Sequence, residues 1–228
     1  MKLTKAKLIK ETKDKLNKLG YIQLKDTNSG SDGLYAKVIG DDLFLTLGLV
    51  ISRYYDAKFT ASFYLSKTTI WSAMWGDIPK DSYKRIGAFL TKEERKILLS
   101  SEDAQEGVND AWWNDDVGSI SSFITTVGIT ENRFLGQADL LDRIEKSSEV
   151  NKLAFFSSQV IKELNNVEDK YIYSFTPKKE VDGIPLRWFE AAERVLFKEK
   201  AILNINTVKR LAVDAWRQNY LKSIVNNP

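Results

Sequence analysis

The side chains best placed to do chemistry are carboxylates and tryptophans gathered in one stretch. Residues 97–132 contain no lysine, arginine or histidine, yet carry Glu102, Asp103, Glu106, Asp110, Asp115, Asp116 and Glu131. Trp112 and Trp113 stand in the middle, between Asp110 and Asp115-Asp116. Large aromatics are enriched at protein interfaces, and patterned charge steers a partner of opposite sign onto its site. The stretch therefore reads as a docking surface for a basic protein partner. Trp112 or Trp113 would be the anchor, and Glu102, Asp103, Glu106, Asp110, Asp115 and Asp116 the steering and pairing groups. The competing arrangement places one tryptophan in the core and uses the acids as solvated loop and as favourable charge before a helix.

Other chemistry is narrowed by omission. The chain has no cysteine and no histidine. Disulfides, zinc-thiolate sites, iron–sulfur clusters and thiol nucleophiles are thereby excluded, as are Ser-His-Asp and Cys-His catalysis. An enzyme built from this chain would have to use carboxylates, lysine, tyrosine, serine or threonine. A carboxylate-dependent hydrolase or nuclease is one such alternative, to which fragments such as Glu168-Asp169-Lys170 and Glu199-Lys200 could contribute. The acids of the 97–132 stretch lack the alternating spacing and turn glycine of a calcium loop, and Asp41-Asp42 beside Gly40 reads as a hairpin turn. Neither G-x-x-x-x-G-K nor G-x-G-x-x-G occurs. No metal and no cofactor is expected. A second alternative is nucleic-acid association through the C-terminal helix, where Lys209, Arg210, Arg217 and Lys222 are interleaved with Trp216 and Tyr220.

Charge is distributed in three blocks. The chain carries 34 basic and 31 acidic residues, for a net +3, with basic ends around an acidic middle. Basic ends suit an acidic partner and an acidic middle suits a basic one, so total charge does not choose between them. The longest apolar runs are far shorter than the roughly 20 residues of a membrane span. The lysine-rich start has no apolar segment after it, so a secretory leader is not expected. A cytoplasmic, non-membrane protein is the expectation.

The elements that must position these groups follow from periodicity. Leu8, Ile9, Thr12, Leu16 and Leu19 share one face of a helix over 3–19, stopped by Gly20. Strands are predicted at 21–24, 34–39, 43–51 and 59–65, the second and third joined across Gly40-Asp41-Asp42. A helical turn is expected around Trp71 and Trp75, and a turn at Asp77-Ile78-Pro79. Thr91-Lys92-Glu93-Glu94 is a capping box opening a helix through Leu99. Further helices are predicted from Ile120 to Val127, ending at Gly128, and around Leu140 to Ile144 and Leu153 to Leu164. A short strand is expected at 170–175, a helix from Pro185 to about Lys200, and a last helix capped by Asn206. The fold class is α+β: an antiparallel sheet of about four strands covered by helices, with a helical C-terminal part. The connector 177–183 divides an α+β domain, 1–176, from a C-terminal helical extension, 184–228.

A resemblance joins these signals. The helix ending Leu19-Gly20-Tyr21, the strand meander, Arg85-Ile86-Gly87 with a nearby leucine, and Trp112-Trp113 before a helix resemble a family of uncharacterised bacterial domains over about residues 5–145. In size and style the chain is similar to immunity-type proteins of bacterial toxin systems. That likeness implies a non-enzymatic, immunity- or antitoxin-like protein whose basic partner is a toxin.

Overall fold

A helix, a four-strand meander and a later set of helices follow one another in the order that the periodicity predicts. The computed structural model describes residues 2–25, 31–40, 42–55, 57–70, 83–100, 110–167, 180–181, 183–201 and 205–226. The helical turn expected around Trp71 and Trp75, the turn at 77–79 and the strand expected at 170–175 lie outside them. Two compact units result, residues 1–66 with 71–146, and residues 67–70 with 147–228.

The first unit begins with α1 (Lys5–Asn17), whose N-cap Thr4 accepts a hydrogen bond from the Lys7 amide. Leu8, Thr12 and Leu16 form its buried face. Gly20 ends it at φ +83°, a left-handed conformation that costs glycine little. The sheet follows as β1 (Ile22–Leu24), β2 (Gly33–Gly40), β3 (Leu43–Ile51) and β4 (Lys58–Ser66), all antiparallel neighbours. Phe44 to Leu49 of β3 are all buried, so both faces of this central strand are covered. Two short strands extend the sheet from the far edge of β4: β5 (Tyr83–Arg85) and β6 (Trp113–Asn114). Among the described residues the sheet thus has six strands, two short ones beyond the four that the periodicity predicts. Runs of two and three residues carry no period of their own, so alternation could not reveal them.

Helices α2 (Lys92–Leu98), α3 (Val117–Leu135) and α4 (Leu140–Glu145) complete this unit. The capping box is present in full: Thr91 Oγ1 accepts from the Glu94 amide and Glu94 accepts from the Thr91 amide. α3 does not stop at Gly128 but runs to a cap at Gly136. Phe123, Val127 and Phe134 continue one buried face across that glycine, and their packing outweighs a helix-interior glycine penalty of roughly 1 kcal/mol. Thr126 and Thr130 also lie on the buried face; their hydroxyls donate to carbonyls one turn back, so the helix satisfies them itself.

The second unit is a packing of α5 (Ser148–Glu163), α6 (Leu186–Lys198) and α7 (Ile205–Asn226), with the β7 (Glu180–Val181) and β8 (Ile184–Pro185) ribbon before α6. Val160, Trp188, Val195, Leu211 and Ala215 belong to its core. α5 belongs to the same compact unit as α6 and α7, on either side of the 177–183 connector where the sequence reading places a boundary. Among the described residues no helix is long and apolar enough to cross a membrane.

Candidate docking site around Trp112

Strand alternation separates the two tryptophans. β6 pairs with β4 in the register Phe59↔Trp113 and Lys58↔Asn114. Adjacent residues of a strand face opposite ways. Trp113 goes inward and is 2% exposed, with its ring 6.2 Å from Phe59 and 5.4 Å from Phe123. Trp113 is therefore core, which corrects the expectation that it anchors a partner. Trp112 stays half-buried at the surface. Its ring meets Tyr55 edge-on at 6.5 Å, and the Arg85 guanidinium lies 6.0 Å from its centroid.

Among the described carboxylates of the stretch, Asp110, Asp115 and Glu131 are engaged by partners distant in sequence. Asp115 forms an ion pair with Lys7 of α1. Asp110 pairs with Arg85 of β5 at 3.4 Å, and its backbone carbonyl accepts from buried Arg95 at 2.8 Å. Asp116 is the N-cap of α3, accepting from the Ser119 amide at 2.9 Å. That backbone hydrogen bond holds its carboxyl below the usual aspartate value. Glu131 accepts the Tyr21 hydroxyl at 2.8 Å and pairs with Lys37 of β2. Three described acids of a run without a single cation in sequence are thus paired in space with Lys7, Arg85 and Lys37. Asp116, exposed at the surface, also serves as the helix cap. Glu102, Asp103 and Glu106 lie outside the described residues.

Sequence reasoning passed over Tyr55, whose ring meets Trp112, and its neighbour Tyr54. Tyr54 is 92% and Tyr55 56% exposed, on the connection between β3 and β4. Ser52 Oγ accepts from both of their amides, at 3.1 and 3.0 Å, which fixes the turn. The Lys58 ammonium lies 5.3 Å from the Tyr55 ring centroid. The signal was available: Arg53-Tyr54-Tyr55 puts two tyrosines where a hairpin connection ordinarily carries Gly, Asn or Asp.

The basic helix is less open than its sequence suggests. Lys209, Arg210 and Lys222 are half-buried on α7. Arg217 is 3% exposed and its guanidinium points to the Thr69 carbonyl at 3.5 Å. An inward arginine cannot present itself to a phosphate backbone, so Arg217 leaves the nucleic-acid set. Trp216 and Tyr220 stack on one another at 5.6 Å.

For carboxylate chemistry, among the described residues Asp214 is the acid with a raised pKa. It is fully buried, and burial pushes its carboxyl above the usual value. Its donors are the Thr69 amide and hydroxyl, the Ser157 hydroxyl and the Gln218 amide, not a second carboxyl. Glu168-Asp169-Lys170 lies outside the described residues, and Glu199 caps the C-terminus of α6. Among the described residues no three His, Cys, Asp or Glu side chains gather as metal ligands. No protein-family model, curated protein or solved structure matches the chain.

Proposed function

We propose that this is a binding protein that captures a basic protein partner on the surface around Trp112. The observation that carries the reading is the surface ring contact of Tyr55 with Trp112, continued along the chain by Tyr54, both tyrosines being largely exposed. Tyrosine and tryptophan supply large contact area at small entropic cost and dominate binding hot spots. The basic character of the partner rests on the acids of residues 102–115. Asp110 and Asp115 can exchange Arg85 and Lys7 for a partner's cations, and Glu102, Asp103 and Glu106 add charge by sequence. The specific form we propose is immunity- or antitoxin-like: an acidic, aromatic face covering the basic surface of a toxin.

The test is affinity capture from the source lysate with the wild type beside Trp112→Ala, both verified as folded by circular dichroism. The expected result is a strongly basic protein held by the wild type, released by added salt and absent from the variant eluate. Identical eluates from the two proteins would contradict the reading.

A nucleic-acid role is the second reading, now favoured at this same surface by Lys58 over Tyr55 and Arg85 over Trp112. Nucleic acid in the eluate, with steep salt dependence, would select it.

A further inference from the structure

Strand register brings a cation, a carboxylate and a ring together on one face of the sheet. β5 and β6 both pair with the far edge of β4, in the registers Ser62↔Arg85 and Phe59↔Trp113. Ser62 and Phe59 are an odd number of residues apart, so Arg85 lies on the face opposite Trp113, and Trp112 lies on that face with it. The Arg85 guanidinium is accordingly 6.0 Å from the Trp112 centroid, and its Nε is 3.4 Å from Asp110 Oδ1.

The walls and the occupant of this arrangement are held differently. Arg95 is buried, and its guanidinium donates to the Gly87 carbonyl through Nη1 and to the Asp110 carbonyl through Nη2, each at 2.8 Å. One fork thereby ties the chain just after β5 to the chain just before β6, without using Arg85. Arg85 itself is held loosely. Its ion pair to Asp110 runs through Nε, unlike the two parallel bonds that a guanidinium can make to a carboxylate. It stands at the outer limit of cation–π contact. Its Nη1 is sealed from water and has no acceptor, a cost that is relieved when the group moves into water. The Arg85 and Asp110 side chains are 33% and 38% exposed, so a partner can reach both.

We propose that Asp110 and Trp112 form a guanidinium notch, filled by an arginine of the basic partner in the complex and by Arg85 in the free chain. The inference rests on the docking reading above and names the residue type that this surface recognises. A flat guanidinium can stack on the Trp112 face and pair with both Asp110 oxygens, whereas a lysine ammonium is a point charge. Arg85, tethered to a strand, does neither fully. An incoming arginine has no such tether. Arg85 therefore competes with the partner, and weakens binding by the fraction of time that it fills the notch. This sign is opposite to that of the nucleic-acid reading, in which the Arg85 cation is a ligand and its loss weakens binding.

The test is calorimetric titration of the full chain with capped oligo-arginine and oligo-lysine peptides of equal length. Wild type, Arg85→Met, Asp110→Asn and Trp112→Ala are compared, each verified as folded by circular dichroism. Arg85→Met keeps most of the apolar stem and removes the charge. Wild type is expected to bind oligo-arginine more tightly than oligo-lysine. Arg85→Met is expected to bind oligo-arginine about tenfold more tightly than wild type does, as for a notch filled about nine-tenths of the time. It gains less toward oligo-lysine, which shares the change in net charge but not the notch. Asp110→Asn is expected to lose the preference for arginine, and it decides if Arg85→Met does not fold. Unchanged or weaker oligo-arginine binding by Arg85→Met, or an equal gain toward both peptides, would overturn the notch. In that case oligo-arginine binding that Trp112→Ala abolishes would leave the docking reading standing. No binding of either peptide by wild type and Arg85→Met alike would overturn both.

Discussion

Trp112 and Trp113 share a residue type and a sequence position to within one, and differ in everything that energetics counts. Trp113→Ala removes a ring packed on Phe59 and Phe123 and is expected to cost roughly 3–5 kcal/mol, read as a lower denaturation midpoint. Trp112→Ala removes a half-exposed ring and is expected to stay within about 1 kcal/mol of the wild type while losing the partner. The pair was legible as important but not as divided, because one residue's shift in strand register exchanges inside for outside. Gly128 offers a converse case. A Cβ built there meets nothing within 4 Å, so Gly128→Ala should stabilise by roughly 1 kcal/mol and raise the melting temperature by about 2–4 °C. Asp214 gives a pH signature. Its folded pKa lies above the ordinary 3.8, so the native state holds the proton more tightly than the unfolded chain. The group's contribution is fully present below about pH 3.8 and falls as pH rises through the folded value. The stability of wild type relative to Asp214→Asn, measured by urea titration, should therefore decline with rising pH across that window.

At the scale of elements, the strands and most helices could be read from sequence because their apolar residues recur at period two or near 3.6 over long enough stretches. α1, β3, the capping box of α2 and the start of α6 fall close to their expected places. β5 and β6 were not legible, since pairing with the edge of β4 is a tertiary event. Neither was the continuation of α3 past Gly128, where propensity and packing disagree. The capping box carries a pH prediction of its own. Two hydrogen bonds from Arg133, at 2.6 and 2.7 Å, and the Thr91 amide bring Glu94 down from 4.5 to about 2. A lowered carboxylate stabilises the fold above its unfolded value and stops doing so as pH falls through the folded one. The link between α2 and α3 should be intact above about pH 4.5 and lost between there and about pH 2. Because the pair faces solvent, its worth is about 0.5–1 kcal/mol, measurable as a double-mutant cycle of Glu94→Gln and Arg133→Gln.

For the whole molecule, the sequence made charge look concentrated, yet among the described residues Asp110, Asp115 and Glu131 each meet a cation. Lys7, Lys37 and Arg85 come from α1, β2 and β5 to meet acids of a stretch that has no cation of its own. Sequence distance hides such pairing, and it likewise hid Tyr54 and Tyr55 from the candidate site. What sequence did locate was the neighbourhood, because Trp112 is in it. The measurement that tests the docking account most directly is the affinity of the captured basic partner, purified, for the wild type and for the Tyr54→Ala/Tyr55→Ala double variant. Both tyrosines lie outside the core, so the variant should fold with near-native stability. The account predicts at least about a thirtyfold weaker Kd for the variant, as for loss of a hot spot worth about 2 kcal/mol. An unchanged Kd in a folded double variant would contradict it.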